Sequence, residues 1–101
     1  MATMVMFITK FTVKGEPEQF EKFFAEHAGF MSSQPGFVSF QLVRAAGDPH
    51  SYLNIGQWQT VEDQRRVTQS AEFRSHAATM RELVDVEAGV YLPVASAGQP
   101  L

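Results

Sequence analysis

Asn54 and Trp58 place a carboxamide and an indole close together in the run Ser51-Tyr52-Leu53-Asn54-Ile55-Gly56-Gln57-Trp58. Alternation in such a run turns Tyr52, Asn54, Gly56 and Trp58 to one face of a strand and Leu53 and Ile55 to the other. The amide supplies two donors and an acceptor, and the indole supplies a broad apolar ring with one N–H. That face suits a flat aromatic molecule bearing oxygen. The same residues also have a plainer reading, a core Trp whose N–H meets a carbonyl and an Asn that ties down a turn.

Proton chemistry at neutral pH points to the histidines. His76 shares a helical stripe with Phe73, Ala77 and Met80, so it faces inward. An imidazole with an ordinary pKa of roughly 6.5 can act there as a proton acceptor or simply satisfy a carbonyl, and the sequence leaves both open. His27 falls among Phe20, Phe23, Phe24, Phe30 and Met31 and reads as wall, while His50 in Asp48-Pro49-His50 reads as solvated.

Several chemistries are excluded by what is missing. There is no cysteine, hence no disulfide, thiolate nucleophile or iron–sulfur cluster, and the cytoplasm is the expected compartment. No glycine-rich phosphate loop, nucleophile elbow or His-x-x-x-His pair occurs, and the scattered histidines carry no carboxylate cluster, so no metal is expected. A net charge of −3 offers no basic stripe for nucleic acid. Met1 to Ile8 lacks a basic leader and Lys10 interrupts it, so it reads as a strand rather than a signal or a membrane span.

The elements that must position these groups follow from periodicity. A strand is expected over 4–13, ending at Lys14-Gly15-Glu16-Pro17, and an amphipathic helix from Pro17 to about Ser32. Gln34-Pro35-Gly36 stops that helix. Strands follow over 37–44 and 52–58, joined through Ala46-Gly47-Asp48-Pro49 as a hairpin. Thr60-Val61-Glu62-Asp63 matches a capping box, opening a second helix that runs to about Leu83 with a kink near Ser70. Glu62-Asp63 and Arg65-Arg66 read as its solvated start. A last strand is expected over 87–94 and a loose tail over 95–101.

This order gives an α+β, ferredoxin-like βαββαβ domain spanning 1–101, with an ordered core over 4–94. Its helices cover one sheet face only. The first strand is nevertheless apolar on both sides, with Phe7, Phe11 and Val13 opposed to Met4, Met6 and Ile8, so a second copy of the chain is expected to cover the open face as a homodimer. A pocket should lie under the helices, where Phe7, Thr9 and Phe11 meet Asn54 and Trp58, with His76 above and Phe20, Phe23, Phe24, His27 and Met31 as the far wall.

The words Phe7-x-x-x-Phe11-Thr12-Val13-x-Gly15, Gln34-Pro35-Gly36-Phe37, Ser51-Tyr52-x-Asn54-Ile55-x-x-Trp58 and Phe73-x-x-His76-Ala77 carry a likeness over nearly the whole chain. The chain resembles an antibiotic biosynthesis monooxygenase domain of the dimeric α/β-barrel type. The resemblance implies oxidation of an anthrone-type aromatic polyketide to a quinone with O2, without metal, flavin or haem. It puts the family's strand Asn and Trp on Asn54 and Trp58 and a first-strand Asn of the family on Thr9, where a hydroxyl replaces a carboxamide. In that scheme Asn54, Trp58, His76 and Thr9 are the catalytic set. Phe7, Phe11, Phe24, His27, Tyr52, Phe73 and Met80 bind the substrate.

Three other readings stand beside it. The ring-cleaving angucycline branch of the same family uses reduced flavin as co-substrate, and Thr9 keeps it open. The haem-degrading branch adds a first-strand Asn and a second-helix Trp, and neither is present. A non-catalytic barrel that binds an aromatic metabolite would have an apolar pocket without converging donors.

Overall fold

The computed structural model describes residues 4–98 and consists of β1 (Val5–Val13), α1 (Pro17–Ser32), β2 (Phe37–Arg44), β3 (Ser51–Trp58), α2 (Val61–Thr68), α3 (Ala71–Leu83) and β4 (Val84–Tyr91). Residues 1–3 of the stretch read as a strand rather than a signal, and residues 99–101 of the expected tail, lie outside the described residues. The strands form one antiparallel sheet in the order β2-β3-β1-β4. This is the ferredoxin-like βαββαβ arrangement, with the second helical segment divided in two.

β1 lies in the centre because it pairs along its length with both β3 and β4. Val5, Thr9, Phe11 and Val13 are buried on the helix side. α1 starts with Pro17, whose fixed φ and missing N–H suit the first turn, and lays Phe20, Phe24, Ala28 and Met31 on the sheet at helical spacing.

The kink expected near Ser70 is a full break. α2 stops at Thr68, and Ser70 opens α3 by accepting from the Phe73 N–H at 3.2 Å while donating to the Val67 carbonyl at 2.7 Å. One serine side chain thus serves an orphan donor of one helix and a carbonyl of the other.

β4 begins at Val84, three residues before the expected start, and ends at Tyr91 rather than Val94. The alternation Val84, Val86, Ala88, Val90 is already strand-like, but Leu83 and Val84 also continue the helical stripe and hide the boundary. Lys14 decides it: its N–H meets the Leu83 carbonyl at 2.9 Å and its Nζ the Arg81 carbonyl at 3.0 Å. Two of the last carbonyls of α3 are satisfied there, and the chain turns straight into pairing with β1, Val84 opposite Val13.

The start of α2 is not simply solvated. Thr60 accepts from the Asp63 N–H at 3.0 Å, as the capping motif requires, but the Asp63 carboxylate takes the Thr60 hydroxyl at 2.8 Å and Arg66 at 2.8 Å. Arg66 also donates to the Pro35 carbonyl at 2.7 Å, which fastens the turn before β2 to α2. In β2 a register shift between Phe37 and Ser39 sets Phe37, not Val38, on the inner face opposite Trp58.

Candidate active site

Two clusters of buried side chains divide the space under the helices. Phe11, Phe20, Phe24, Tyr52, Met80 and Val84 pack at one end, and Val5, Met31, Trp58 and Val67 at the other. Between sheet and helices lies a cavity of about 310 Å³. That is the lower end of the roughly 300–1,000 Å³ typical of small-molecule sites.

Strand register builds its floor. Thr9 is directly opposite Asn54, and Phe7 is opposite Gly56, so β1 and β3 present a hydroxyl and an amide side by side on the inner face. Gly56 separates Asn54 from Trp58 on that face and adds no side chain, which leaves room between amide and indole. Trp58 is 1% exposed and is held edge-on by Phe37 at 5.5 Å between ring centres, so the indole is a rigid end wall.

The Asn54 Oδ1 atom is buried and has no hydrogen-bond partner among the described residues. An acceptor left in that state costs about 1–3 kcal/mol. A hydroxyl or N–H donor brought in by a guest would recover it.

The helices supply the roof. His27 of α1 and His76 of α3 meet through their Nδ1 atoms at 3.1 Å. Phe23 and Phe30 stand against His76, and Phe73 stands against His27, with ring centres 5.2–5.9 Å apart. Burial first, and then the charge that His76 can carry, lower the pKa of His27 to about 4, so its imidazole is neutral near pH 7.

Ten of the sequence-derived site residues line this one cavity: Thr9, Asn54, Trp58 and His76, with Phe7, Phe11, Phe24, His27, Phe73 and Met80 around them. Tyr52 does not. It lies opposite Phe11, meets Phe20 at a tilt with ring centres 4.8 Å apart and donates its hydroxyl to Glu21 at 2.5 Å. Phe20 is likewise sealed in the core beneath the wall, and Phe23 backs His76 rather than lining the space.

Sequence reasoning missed Gln64 and Thr68 of α2, Phe37 and Phe40 of β2, and Arg81 of α3. Gln64 had a signal, since it occupies the inward stripe with Val61 and Val67 and is 6% exposed. Arg81 had none, because an arginine in the last turn of a helix is ordinary. Among the described residues it is the only permanently charged side chain lining the cavity, and no carboxylate lines it. Val86 and Ala88 of the edge strand β4 also line it yet remain exposed, so the cavity opens along that edge.

The antibiotic biosynthesis monooxygenase family model matches residues 4–79. The chain is 39% identical over 90 residues to deoxynogalonate monooxygenase of Streptomyces nogalater, an alignment covering 89% of this chain and 76% of that protein. It superposes on SnoaB, a cofactor-independent oxygenase from the same organism, with a TM-score of 0.92 and 36% identity, covering 97% of this chain and all of that one. A conserved protein from Methanosarcina mazei shares the fold alone, at a TM-score of 0.81 and 14% identity over 89% of this chain and 92% of that one. The chain belongs to the antibiotic biosynthesis monooxygenase family.

Proposed function

We propose that this protein oxidises an anthrone-type ring of an aromatic polyketide to the quinone with O2, without metal, flavin or haem, and acts as a homodimer. The observation that carries the reading is the unpartnered Asn54 amide oxygen, buried in an aromatic-walled cavity beside Thr9. Such a slot fits a flat ring system whose edge carries both hydroxyl and carbonyl oxygen. The likeness to deoxynogalonate monooxygenase supports the substrate class, and the likeness to SnoaB supports chemistry without a cofactor.

The substrate supplies the electrons. Its ring methylene loses a proton to give an enolate, which passes one electron to O2. Recombination of the radical pair forms the carbon–oxygen bond of a peroxide. Loss of water then leaves the carbonyl, so that one ring methylene and one dioxygen become one ring carbonyl and one water. The protein has two tasks, to favour the anion and to keep bulk water from the radicals.

Asn54 serves the first by accepting from a ring hydroxyl through Oδ1 while its NH2 donates to the adjacent oxyanion. Thr9 and the Trp58 N–H are the further donors, His76 handles the proton, and Arg81 biases the cavity toward negative charge. Phe7, Phe11, Phe24, Phe73 and Met80 exclude water and grip the ring faces. With Thr9 in place of a carboxamide, one donor fewer faces the substrate, which favours a ligand with one oxygen fewer to satisfy on that side.

The test is turnover of a hydroxyanthrone in air-saturated buffer freed of metal and flavin. Quinone should appear with one O2 consumed per molecule. Activity only after adding reduced flavin would replace this reading with ring-cleaving oxygenation. Tight binding with no product, unaltered in an Asn54→Ala/Trp58→Phe double variant, would replace it with a binding protein.

A further inference from the structure

We propose that His27 and His76 work as one proton relay, taking the proton from the substrate carbon through one ring and handing a proton back to the nascent peroxide through the same pair. The proposal rests on the oxygenase reading for its substrate, but its central observation is independent of it. Two imidazoles from different helices, 49 positions apart in sequence, face each other through Nδ1 at 3.1 Å and both line the cavity.

Tautomer counting gives the consequence. Two neutral imidazoles can bond through their Nδ1 atoms only if one ring carries its hydrogen on Nδ1 and the other on Nε2. In that neutral state the pair ends in one bare Nε2 and one Nε2–H. A proton arriving at the bare Nε2 lets the Nδ1 hydrogen cross to the second ring, which then releases its own Nε2 hydrogen. Both tautomers are now exchanged, and passage of a proton in the opposite direction restores them.

The oxidation needs both directions. The first step breaks the C–H bond, leaves its electron pair on carbon and sends the proton in at the bare Nε2, while the other ring's Nε2 hydrogen leaves to solvent water. After O2 adds, a proton from solvent water passes back through the pair to the terminal peroxide oxygen and restores the starting tautomers. The remaining C–H proton goes to the departing hydroxide without the pair, giving water and the carbonyl. Protons and electrons balance over the cycle with O2 as sole oxidant.

The surroundings explain why two rings are used. From α2 the neighbours on the cavity are Gln64 and Thr68, from the sheet Thr9 and Asn54, and from α3 Arg81, so among the described residues the only fixed charge is positive. An imidazolium formed among phenyl rings without a carboxylate is costly, and passing the proton onward keeps its lifetime short. The depressed basicity of His27 fits that role, since it keeps the second ring neutral and ready to receive.

Hydrogen–deuterium exchange at the ring methylene of a hydroxyanthrone, measured by NMR in D2O under argon, reads the proton step without the oxygen step. The whole protein should accelerate exchange, and His27→Gln and His76→Gln should each lose about 100-fold or more of that acceleration. The double variant should be no worse than either single one, as for groups acting as a unit. Nitrogen-15 spectra of the unaltered protein should show, for the His27 and His76 rings, one Nδ1–H and one Nε2–H imidazole, a readout that requires no variant to fold. Two identical tautomers, or exchange indifferent to His27→Gln, would overturn the relay. Quinone formation that ignores both substitutions would overturn it while sparing the oxygenase reading. Histidine-dependent exchange without quinone in air would do the reverse.

Discussion

Asn54 pits stability against function within one side chain. Its amide oxygen is desolvated by folding and gains no partner among the described residues, so Asn54→Ala removes a cost as well as contacts. The variant should melt at the same temperature or slightly higher, yet lose about 100-fold in kcat, the effect of deleting one preorganised hydrogen-bonding group at a developing anion. Thermal melts and steady-state turnover on the same sample check both halves. His27 gives a pH prediction. Its pKa is about 4 in the folded protein against an ordinary value of 6.5, so as pH falls the unfolded chain binds the proton first. The stability this neutral imidazole contributes is complete above pH 6.5 and is lost progressively down to about pH 4, with a slope of at most about 1.4 kcal/mol per pH unit. Urea unfolding across that window should show the slope, and His27→Phe should flatten it. At this scale the sequence placed Asn54, Trp58 and Thr9 on one inner sheet face because strand alternation is a local rule. It could not show that His27 meets His76, because the approach of two rings on separate helices is set by how both helices pack on the sheet.

Element boundaries are governed by single side chains that reach across the chain, and this is where sequence periodicity was weakest. Lys14, before α1, ends α3, and Arg66, inside α2, secures the carbonyl of Pro35 before β2. Neither contact has a sequence spacing that announces it. The strands and α1 were legible because their buried faces repeat at regular intervals, whereas the α2–α3 break depends on Ser70 alone bridging both ends. Gly36 shows how tightly one such joint is built. Its φ is +88°, in the region that favours glycine, and a Cβ there would collide with the Asp63 carboxyl group that receives Thr60 and Arg66. Gly36→Ala should therefore cost about 1–3 kcal/mol, strain and collision together. Because Gly36 also anchors the end of β3 by accepting from the Gln59 N–H at 2.8 Å, the loss should appear in hydrogen exchange at Phe37 and Trp58 before it appears at β4.

The whole molecule is a slab of 42 × 34 × 19 Å, one layer of helices on one sheet, and the sheet's second face carries the remaining argument. Register puts Met6, Ile8, Leu53, Ile55 and Val43 on that outer face, with Lys10 beside Glu87 among them. Among the described residues no helix covers this largely apolar row, which makes it a candidate association surface. Stable interfaces bury roughly 1,200–2,000 Å², and a two-fold pairing of this face with its copy would oppose like rows of side chains. Light scattering should accordingly give twice the 11.3 kDa chain mass. Ile55→Arg, in the middle of the row, should shift the protein to monomer, since a buried unpaired charge costs several kcal/mol per copy and a two-fold axis doubles it. The side chain of Ile55 points away from the cavity that Asn54 and Gly56 enter, so a monomer that still binds hydroxyanthrone would show the site is complete in one chain. A monomer that binds nothing would show that the partner holds the sheet in its binding shape.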